Sequence, residues 1–142
     1  MKPIKEFEDF IKEGTIKQQK PDLSRAKFLR EESEKAYSFL IKLIAKFNIN
    51  DENANLIIKS SYDILMETIR SKMLIEGYNS TGSHEAEISY LKKIGLKVED
   101  IEFADELRYS RNSSVYYGKI FDKEYAKSVF DFLKKLYPLL KK

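Results

Sequence analysis

Apolar residues recur at every third or fourth position along most of this 142-residue chain, which is the spacing of one face of an α-helix. Glycine and proline, which interrupt helices, number only 5 and 3, and no segment alternates apolar and polar residues as a half-buried strand does. The sequence therefore predicts an all-α protein. A hydrophobic content of 42% over this length is enough for one domain with a buried core.

Breaks in the pattern divide the chain into a short N-terminal helix and a helical bundle. Residues 3–13 form the N-terminal helix, and with the polar connector that follows they make up residues 1–21. Residues 22–142 form the bundle, in which two long helices joined by a short turn predict an antiparallel, up-down pairing. The four to five core helices of the bundle are predicted at about residues 23–47, 52–76, 84–94, 98–117 and 123–142.

Apolar stripes and capping residues make these helix assignments specific. Each long helix has one stripe that we expect to face the core. Asp22, Ser83 and Asp122 are the predicted N-caps, and Gly77 is a predicted C-terminal stop. The predicted stripes are Leu29, Ala36, Leu40, Leu43 and Phe47 in the first long helix, and Ile58, Tyr62, Leu65, Ile69 and Met73 in the second.

The last helix carries two apolar stripes instead of one. A surface helix needs a single stripe, so the second one indicates either a central position in the bundle or a face covered by another chain. We expect the second arrangement, a homodimer, and keep the first as the alternative. The two stripes are Tyr125, Val129, Phe132 and Leu136, and Ala126, Phe130, Leu133, Tyr137 and Leu140.

Composition excludes several classes of site and of location. Without cysteine there is no disulfide, thiolate metal site or cysteine nucleophile, and a single histidine cannot build a multi-histidine metal centre, so we expect neither metal nor cofactor. No apolar run approaches the roughly 20 residues that span a bilayer, and the N-terminus has no signal-peptide core. We therefore expect a cytoplasmic protein without membrane contact. The Lys, Glu and Ile content is typical of a thermophile.

A guanidinium interrupts the core stripe of the penultimate helix. At about 100° per residue, the apolar residues that share one side of this helix are Ile101, Ala104, Leu107 and Val115. Arg111 falls in the middle of that stripe, where an unpaired charge would be costly to bury. One interpretation is that Arg111 pairs with a carboxylate of a neighbouring helix, such as Glu67 or Asp63, and is only structural.

The other interpretation is that Arg111 belongs to an anion-binding site. Arg108, Asn112 and Tyr116 line up beside it at intervals of four residues, so their side chains share one face of the helix. A polar cluster set into an apolar surface is what such a site requires, and arginine suits phosphate because its planar fork donates two hydrogen bonds at once. A net charge of +3 is too small to indicate nucleic-acid binding by itself.

Two segments together resemble the HEPN family (higher eukaryotes and prokaryotes nucleotide-binding domain). Residues 61–91, SYDILMETIRSKMLIEGYNSTGSHEAEISYL, look like the family's second long helix, its loop with a Ser-His dipeptide and a short helix. Residues 107–118, LRYSRNSSVYYG, lie where these proteins carry an Arg-x(4–6)-His motif, often opening as Arg-Asn. The resemblance covers roughly residues 23–138.

The resemblance implies a bundle of four or five helices that dimerises so that the motif segments of two subunits meet in one cleft. Many members of the family are metal-independent ribonucleases, and others are non-catalytic RNA- or nucleotide-binding domains. Many small members are encoded beside a minimal nucleotidyltransferase as toxin–antitoxin partners. By this resemblance we expect RNA or a nucleotide as ligand and a nucleotidyltransferase as protein partner.

The motif departs from the family pattern at one position. Carried over residue by residue, Arg111 is the motif arginine and Asn112 is the polar residue after it. After four intervening residues the chain has Tyr116 where the family has histidine. Tyrosine, with a reference pKa of about 10, is a poor base at neutral pH, although it donates a hydrogen bond or a proton. We therefore expect a degenerate catalytic motif.

His84 is the one histidine that could take over proton transfer. It follows a loop at the start of a predicted helix. A histidine at this position also occurs in HEPN relatives that keep their motif histidine. The alternative is that His84 caps the helix or packs the loop against Tyr78 or Tyr90, and we favour this structural role.

Three functions are compatible with these residues. The first, which we prefer, is an RNA- or nucleotide-binding protein in which Arg108 and Arg111 hold phosphate, Asn112 bonds to sugar or phosphate, and Tyr116 donates or stacks. The second is an active metal-independent ribonuclease that uses Arg111, Tyr116 and the His84 of a partner subunit. The third is a structural or interaction protein in which the cluster only fixes a dimer.

Overall fold

A computed structural model describes residues 2–112 in full, the backbone of residues 113–116, and residues 121–141. These residues form the predicted all-α helical bundle with a short N-terminal helix. The elements are α1 (Phe7–Lys12), β1 (Ile16–Gln18), α2 (Leu23–Phe47), α3 (Ala54–Glu76), β2 (Tyr78–Ser80), α4 (His84–Lys93), α5 (Val98–Tyr116) and α6 (Lys123–Lys141).

Helix α3 lies at the centre of the bundle and contacts α2, α4, α5 and α6. Its predicted stripe is confirmed, since each of the five side chains is buried. Helix α3 ends where predicted, at Gly77, whose left-handed φ of 88° lets the chain leave the helix. The predicted N-caps are also confirmed: Asp22, Ser83 and Asp122 each accept a hydrogen bond from a main-chain N–H three residues later.

A short antiparallel ladder joins β1 and β2, so the prediction that both segments are plain connectors was wrong. Ile16 pairs with Ser80 and Gln18 with Tyr78, and the main-chain N–H of Gln19 donates to the carbonyl of Gly77 at 2.8 Å. Strands of three residues are too short for an alternating pattern to appear in the sequence. The ladder fixes the N-terminal segment to the loop that precedes α4.

Helix α2 faces the core with different residues from those predicted. Of the predicted stripe only Leu40 is fully buried, whereas Ala36 and Phe47 are exposed. The buried positions recur every seven residues, at Ala26, Ser33 and Leu40. The small residues among them let α2 and α3 approach closely. Ser71 of α3 therefore reaches the main-chain oxygen of Ala26 and donates to it at 2.8 Å. A prediction based on the spacing of large apolar side chains therefore misses this contact.

Helix α6 is buried on both of its stripes within a single chain. All of these side chains are buried except Tyr125, which is half-buried. The two-stripe pattern therefore follows from a central position, the alternative that we had placed second, and it requires no second chain.

Helix α1 is shorter than predicted because Glu6, in an extended conformation, forms a capping box with Asp9 and starts the helix at Phe7. The side chains of Ile4, Phe7 and Phe10 nevertheless belong to the same buried cluster as the bundle.

Across the described residues, every helix is too short or too polar to cross a bilayer.

Candidate functional site

Five polar side chains from three helices make up the candidate site: Tyr62 and Arg70 of α3, His84 of α4, and Arg108 and Arg111 of α5. His84 is the first residue of α4, and the Ser83 side chain caps that helix by accepting from Ala86 N–H at 3.1 Å. Because the cap and the β1–β2 ladder fix this helix start, the imidazole is held against α3.

The His84 ring contacts Tyr62, not the tyrosines that the sequence suggested. The Tyr62 hydroxyl lies 2.8 Å from Nδ1 of His84, and the two ring centroids are 5.7 Å apart. The predicted packing against Tyr78 or Tyr90 was wrong, because Tyr90 is fully buried and bonds to Glu76 instead, while Tyr78 packs on Phe7.

Burial raises the pKa of the Tyr62 hydroxyl, and the nearby charge of Arg108 partly opposes this increase. Tyr62 is only 2% exposed. Its hydroxyl therefore keeps its proton at neutral pH. Helix α5 packs against both α3 and α4, the helices that carry Tyr62 and His84.

Arg70 constrains the proton positions on His84. A terminal guanidinium nitrogen of Arg70 lies 3.4 Å from Nε2 of His84. Arginine carries only donors, so this contact requires a lone pair on Nε2 and, in the neutral ring, a proton on Nδ1. That tautomer donates to the oxygen of Tyr62, which leaves the hydroxyl proton of Tyr62 for another acceptor.

Arg70 is itself fixed by Glu87, a residue that sequence reasoning missed. The two side chains form an ion pair with 2.7 Å between Nε and Oε2, and Ser80 donates to the same oxygen at 2.7 Å. Glu87 is 1% exposed, and its Oε1 has no hydrogen-bond partner within the described part of the chain. Arg70 is therefore held in a part-buried ion pair and is not an ordinary solvated charge. The available signal was an acidic residue one helical turn after His84.

The charge of Arg108 is balanced by the carboxylate of Asp105. Asp105, one turn earlier on α5 and 3% exposed, accepts hydrogen bonds from Nε at 2.9 Å and from a terminal nitrogen at 2.8 Å. The guanidinium also lies over the ring of Tyr109, 4.6 Å from its centroid. Arg108 can still contribute a hydrogen bond to a ligand, but its charge is shared with a buried carboxylate.

Arg111 has no such compensation among the residues that the structure describes. It is half-buried, its Nε has no contact with solvent, and none of the described residues forms a hydrogen bond with this nitrogen. Neither Glu67 nor Asp63, the carboxylates considered as structural partners, forms an ion pair with it among the residues that the structure describes. The pKa of Glu67 is raised by its own burial and by Asp63, while Arg70 opposes the change.

Of the two remaining predicted site residues, Asn112 and Tyr116, the structure describes the side chain of the first. Asn112 is exposed on α5, next to Arg111. The side chain of Tyr116, together with Tyr117 and Gly118, lies outside the described residues. The structure therefore brings His84 to Tyr62 and Arg70, and places Arg111 one turn along α5 from Arg108.

This arrangement suits the binding of an anion and the exchange of protons. Arg111 offers a buried donor that has no partner in the described part of the chain, and the pair formed by Tyr62 and His84 can donate or accept a proton. Within residues 2–116 and 121–141, no three His, Asp or Glu side chains converge as metal ligands.

Comparisons with models of protein families, with curated proteins and with solved structures find no match to this chain.

Proposed function

We propose that this protein binds the phosphate groups of RNA or of a nucleotide at the candidate site, as a HEPN-type protein with a degenerate catalytic motif. The observation that carries the proposal is the buried Nε of Arg111, which has no partner within the described chain. A buried donor without an acceptor is unfavourable, and a phosphate oxygen would satisfy both its hydrogen bond and its charge.

Other side chains of α5 and the pair formed by Tyr62 and His84 support a nucleotide over a simple anion. Tyr109 is 47% exposed and its ring is already covered on one face by Arg108, which is an arrangement on which a base can stack. Asn112, exposed beside Arg111, can bond to sugar or phosphate oxygens. Tyr62 and His84 add a hydroxyl and an imidazole that can meet a ribose hydroxyl.

Fluorescence anisotropy with a labelled single-stranded oligoribonucleotide tests the proposal. We expect Arg111→Gln to weaken RNA binding about tenfold, the loss expected for one charge-assisted hydrogen bond. Arg25→Gln is the matched control, since Arg25 is an exposed arginine near the start of α2 and its replacement removes the same charge. We expect the control to bind as the unaltered protein does.

Circular dichroism and light scattering on both variants separate binding from folding. If Arg111→Gln unfolds the protein or changes its oligomeric state, and the unaltered protein has no affinity for RNA, the third function of a purely structural cluster is correct. If the variant folds and binds RNA as well as Arg25→Gln does, Arg111 is not part of the binding site.

The contact between Tyr62 and His84 favours a second candidate, a metal-independent ribonuclease. A neutral tyrosine beside a histidine can relay a proton to or from a ribose 2′-hydroxyl, while arginine stabilises the charge on phosphorus. This activity predicts RNA cleavage in the presence of EDTA that is lost in both His84→Gln and Arg111→Gln. If RNA is bound and stays intact in EDTA, the binding function alone remains.

The resemblance extends the proposal to partners. We propose a homodimer in which two copies of residues 108–118 face each other, and a minimal nucleotidyltransferase as the protein partner. Since both stripes of α6 are covered inside one chain, such a dimer is expected to use the exposed face of α5 around Tyr109 and Asn112.

A further inference from the structure

A cavity of about 140 Å³ lies between α2, α3 and α6, on the opposite side of α3 from the candidate site. Thr68 and Ser71 line it, whereas Tyr62 and Arg70 point to the candidate site. At about 100° per residue these two pairs face different sides of the helix. The cavity is therefore independent of the site at Arg111.

Three deeply buried hydroxyl groups line the interior of the cavity. Ser33, Thr68 and Ser71 are 2%, 6% and 5% exposed. Each donates its hydrogen to a main-chain carbonyl oxygen, at 2.9, 2.7 and 2.8 Å respectively. Because their protons are already used, these hydroxyls offer only lone pairs to a ligand. They would repel an anion and would accept a hydrogen bond from a donor.

The cationic groups are found at the mouth of the cavity. Arg30 and Lys141 both line it, with side chains 53% and 43% exposed. Both also contact the single carboxylate of Glu34, at 3.3 and 3.5 Å. Together with Lys72, which also lines the cavity, these two cations give the entrance a positively charged lining that suits an anionic group.

Apart from Lys72, the rest of the wall is aliphatic and aromatic. Ile75 and Leu140 contribute aliphatic surface, and the ring of Tyr137 is held by stacking on Tyr37 with 4.0 Å between centroids. An apolar cavity of about 150 Å³ is large enough for benzene. The interior thus fits a single ring or a branched aliphatic group of similar size.

We propose that this cavity binds a small organic monocarboxylate, with the carboxylate at Arg30 and Lys141 and a ring-sized apolar body inside. A body that carries a hydroxyl or amine donor is preferred, because it can bond to the buried serine and threonine oxygens. An inorganic anion is disfavoured, because it would leave the apolar interior empty and would meet only acceptors there.

Titration of the full-length protein with benzoate, followed through the methyl NMR signals of Ile75 and Leu140, tests the proposal. We expect saturable shifts with a Kd on the order of 1 mM. We expect 4-hydroxybenzoate to bind about three- to tenfold more tightly, and benzyl alcohol about tenfold more weakly, than benzoate. Inorganic phosphate should not displace benzoate at equal concentration.

Amino-acid substitutions test which side chains bind benzoate. Arg30→Gln should weaken benzoate binding about tenfold, whereas Arg25→Gln and Arg111→Gln should leave it unchanged. Thr68→Val, which keeps the shape of the side chain, should reduce the preference for 4-hydroxybenzoate over benzoate. The proposal is overturned if benzoate shifts neither methyl group, if phosphate competes as well as benzoate does, or if Arg30→Gln binds benzoate normally.

Discussion

Glu87 holds the charge of Arg70 at the candidate site from a position with almost no access to solvent. Its Oε2 accepts from both Arg70 and Ser80, so one oxygen connects α3, β2 and α4. A charged carboxylate in such a place is tolerated only because it is paired. Arg70 in turn reaches Nε2 of His84, so the position of the imidazole depends on a carboxylate that does not touch it.

We expect Glu87→Gln to lower the free energy of unfolding by about 1–3 kcal/mol, because an amide keeps the bond to Ser80 but leaves Arg70 without its countercharge. Urea denaturation gives this difference directly. Glu85→Gln is the matched control, since Glu85 is a half-buried acid in the same helical turn, and we expect it to change the stability by no more than about 0.5 kcal/mol. Equal effects of the two substitutions would contradict the role assigned to Glu87.

The buried hydroxyl of Tyr62 gives a pH-dependent prediction. Since burial raises its pKa in the folded protein, the folded state holds this proton more tightly than the unfolded state does. The associated stability is complete below pH about 10 and decreases above it. In a spectrophotometric titration of the folded protein, Tyr62→Phe should leave the tyrosinate signal between pH 9 and about 11 unchanged. A loss of the signal of one tyrosinate in this range would contradict the prediction.

The sequence pattern singled out Arg111 but did not predict the side-chain contacts in the rest of the candidate site. Arg111 could be singled out because a charge inside an apolar stripe is visible from periodicity alone. The pairing of Arg70 with Glu87 was missed, because a turn, a short strand and a loop separate the two residues and no fixed spacing connects them. The partner of His84 was missed because Tyr62 also fits the core stripe of α3.

At the scale of elements, Gly77 connects the end of α3 to the small sheet that positions α4. It has a φ of 88°, and a Cβ atom placed on it would lie 2.5 Å from the main-chain oxygen of Gln19. The position therefore requires glycine both for its backbone conformation and for the close approach of Gln19, the residue after β1. Helix bounds were predictable from caps and stripes, but this contact depends on the tertiary structure.

We expect Gly77→Ala to destabilise the protein by about 2–4 kcal/mol, through left-handed backbone strain and the clash with Gln19 together. Gly95→Ala isolates the first contribution, because Gly95 has a φ of 83° with open space around the added carbon. Its expected cost is about 1 kcal/mol. Thermal denaturation of both variants measures the difference, and an equal loss in the two would show that the contact with Gln19 contributes nothing.

At the scale of the whole molecule, α6 is a core element that contacts α3 along its length and closes the bundle. The sequence predicted its two apolar stripes correctly but could not decide what covers them, since a helix buried in its own chain and one buried in a dimer have the same pattern. The structure resolves this in favour of the single chain. Most of the exposed large apolar side chains among the described residues lie outside α6, for example Phe28 and Phe39 of α2.

A pair of leucines on α6 tests its central position. Leu136 is 0% exposed and Leu139 is 47% exposed. We expect Leu136→Ala to cost about 2–5 kcal/mol, because it leaves a cavity in the core, and Leu139→Ala to cost less than about 1 kcal/mol. Denaturant titrations of the two variants at several protein concentrations compare these values. Similar losses in both variants would mean that α6 is not packed as described.

The salt dependence of RNA binding tests for a phosphate contact at Arg111, because each phosphate contact contributes to the slope of log affinity against log salt concentration. For single-stranded RNA, Arg111→Gln should reduce the magnitude of this slope by about 0.7, while Arg25→Gln should leave it unchanged. Such a result would locate one phosphate at Arg111. Identical slopes for Arg111→Gln and the unaltered protein would contradict a phosphate contact at Arg111.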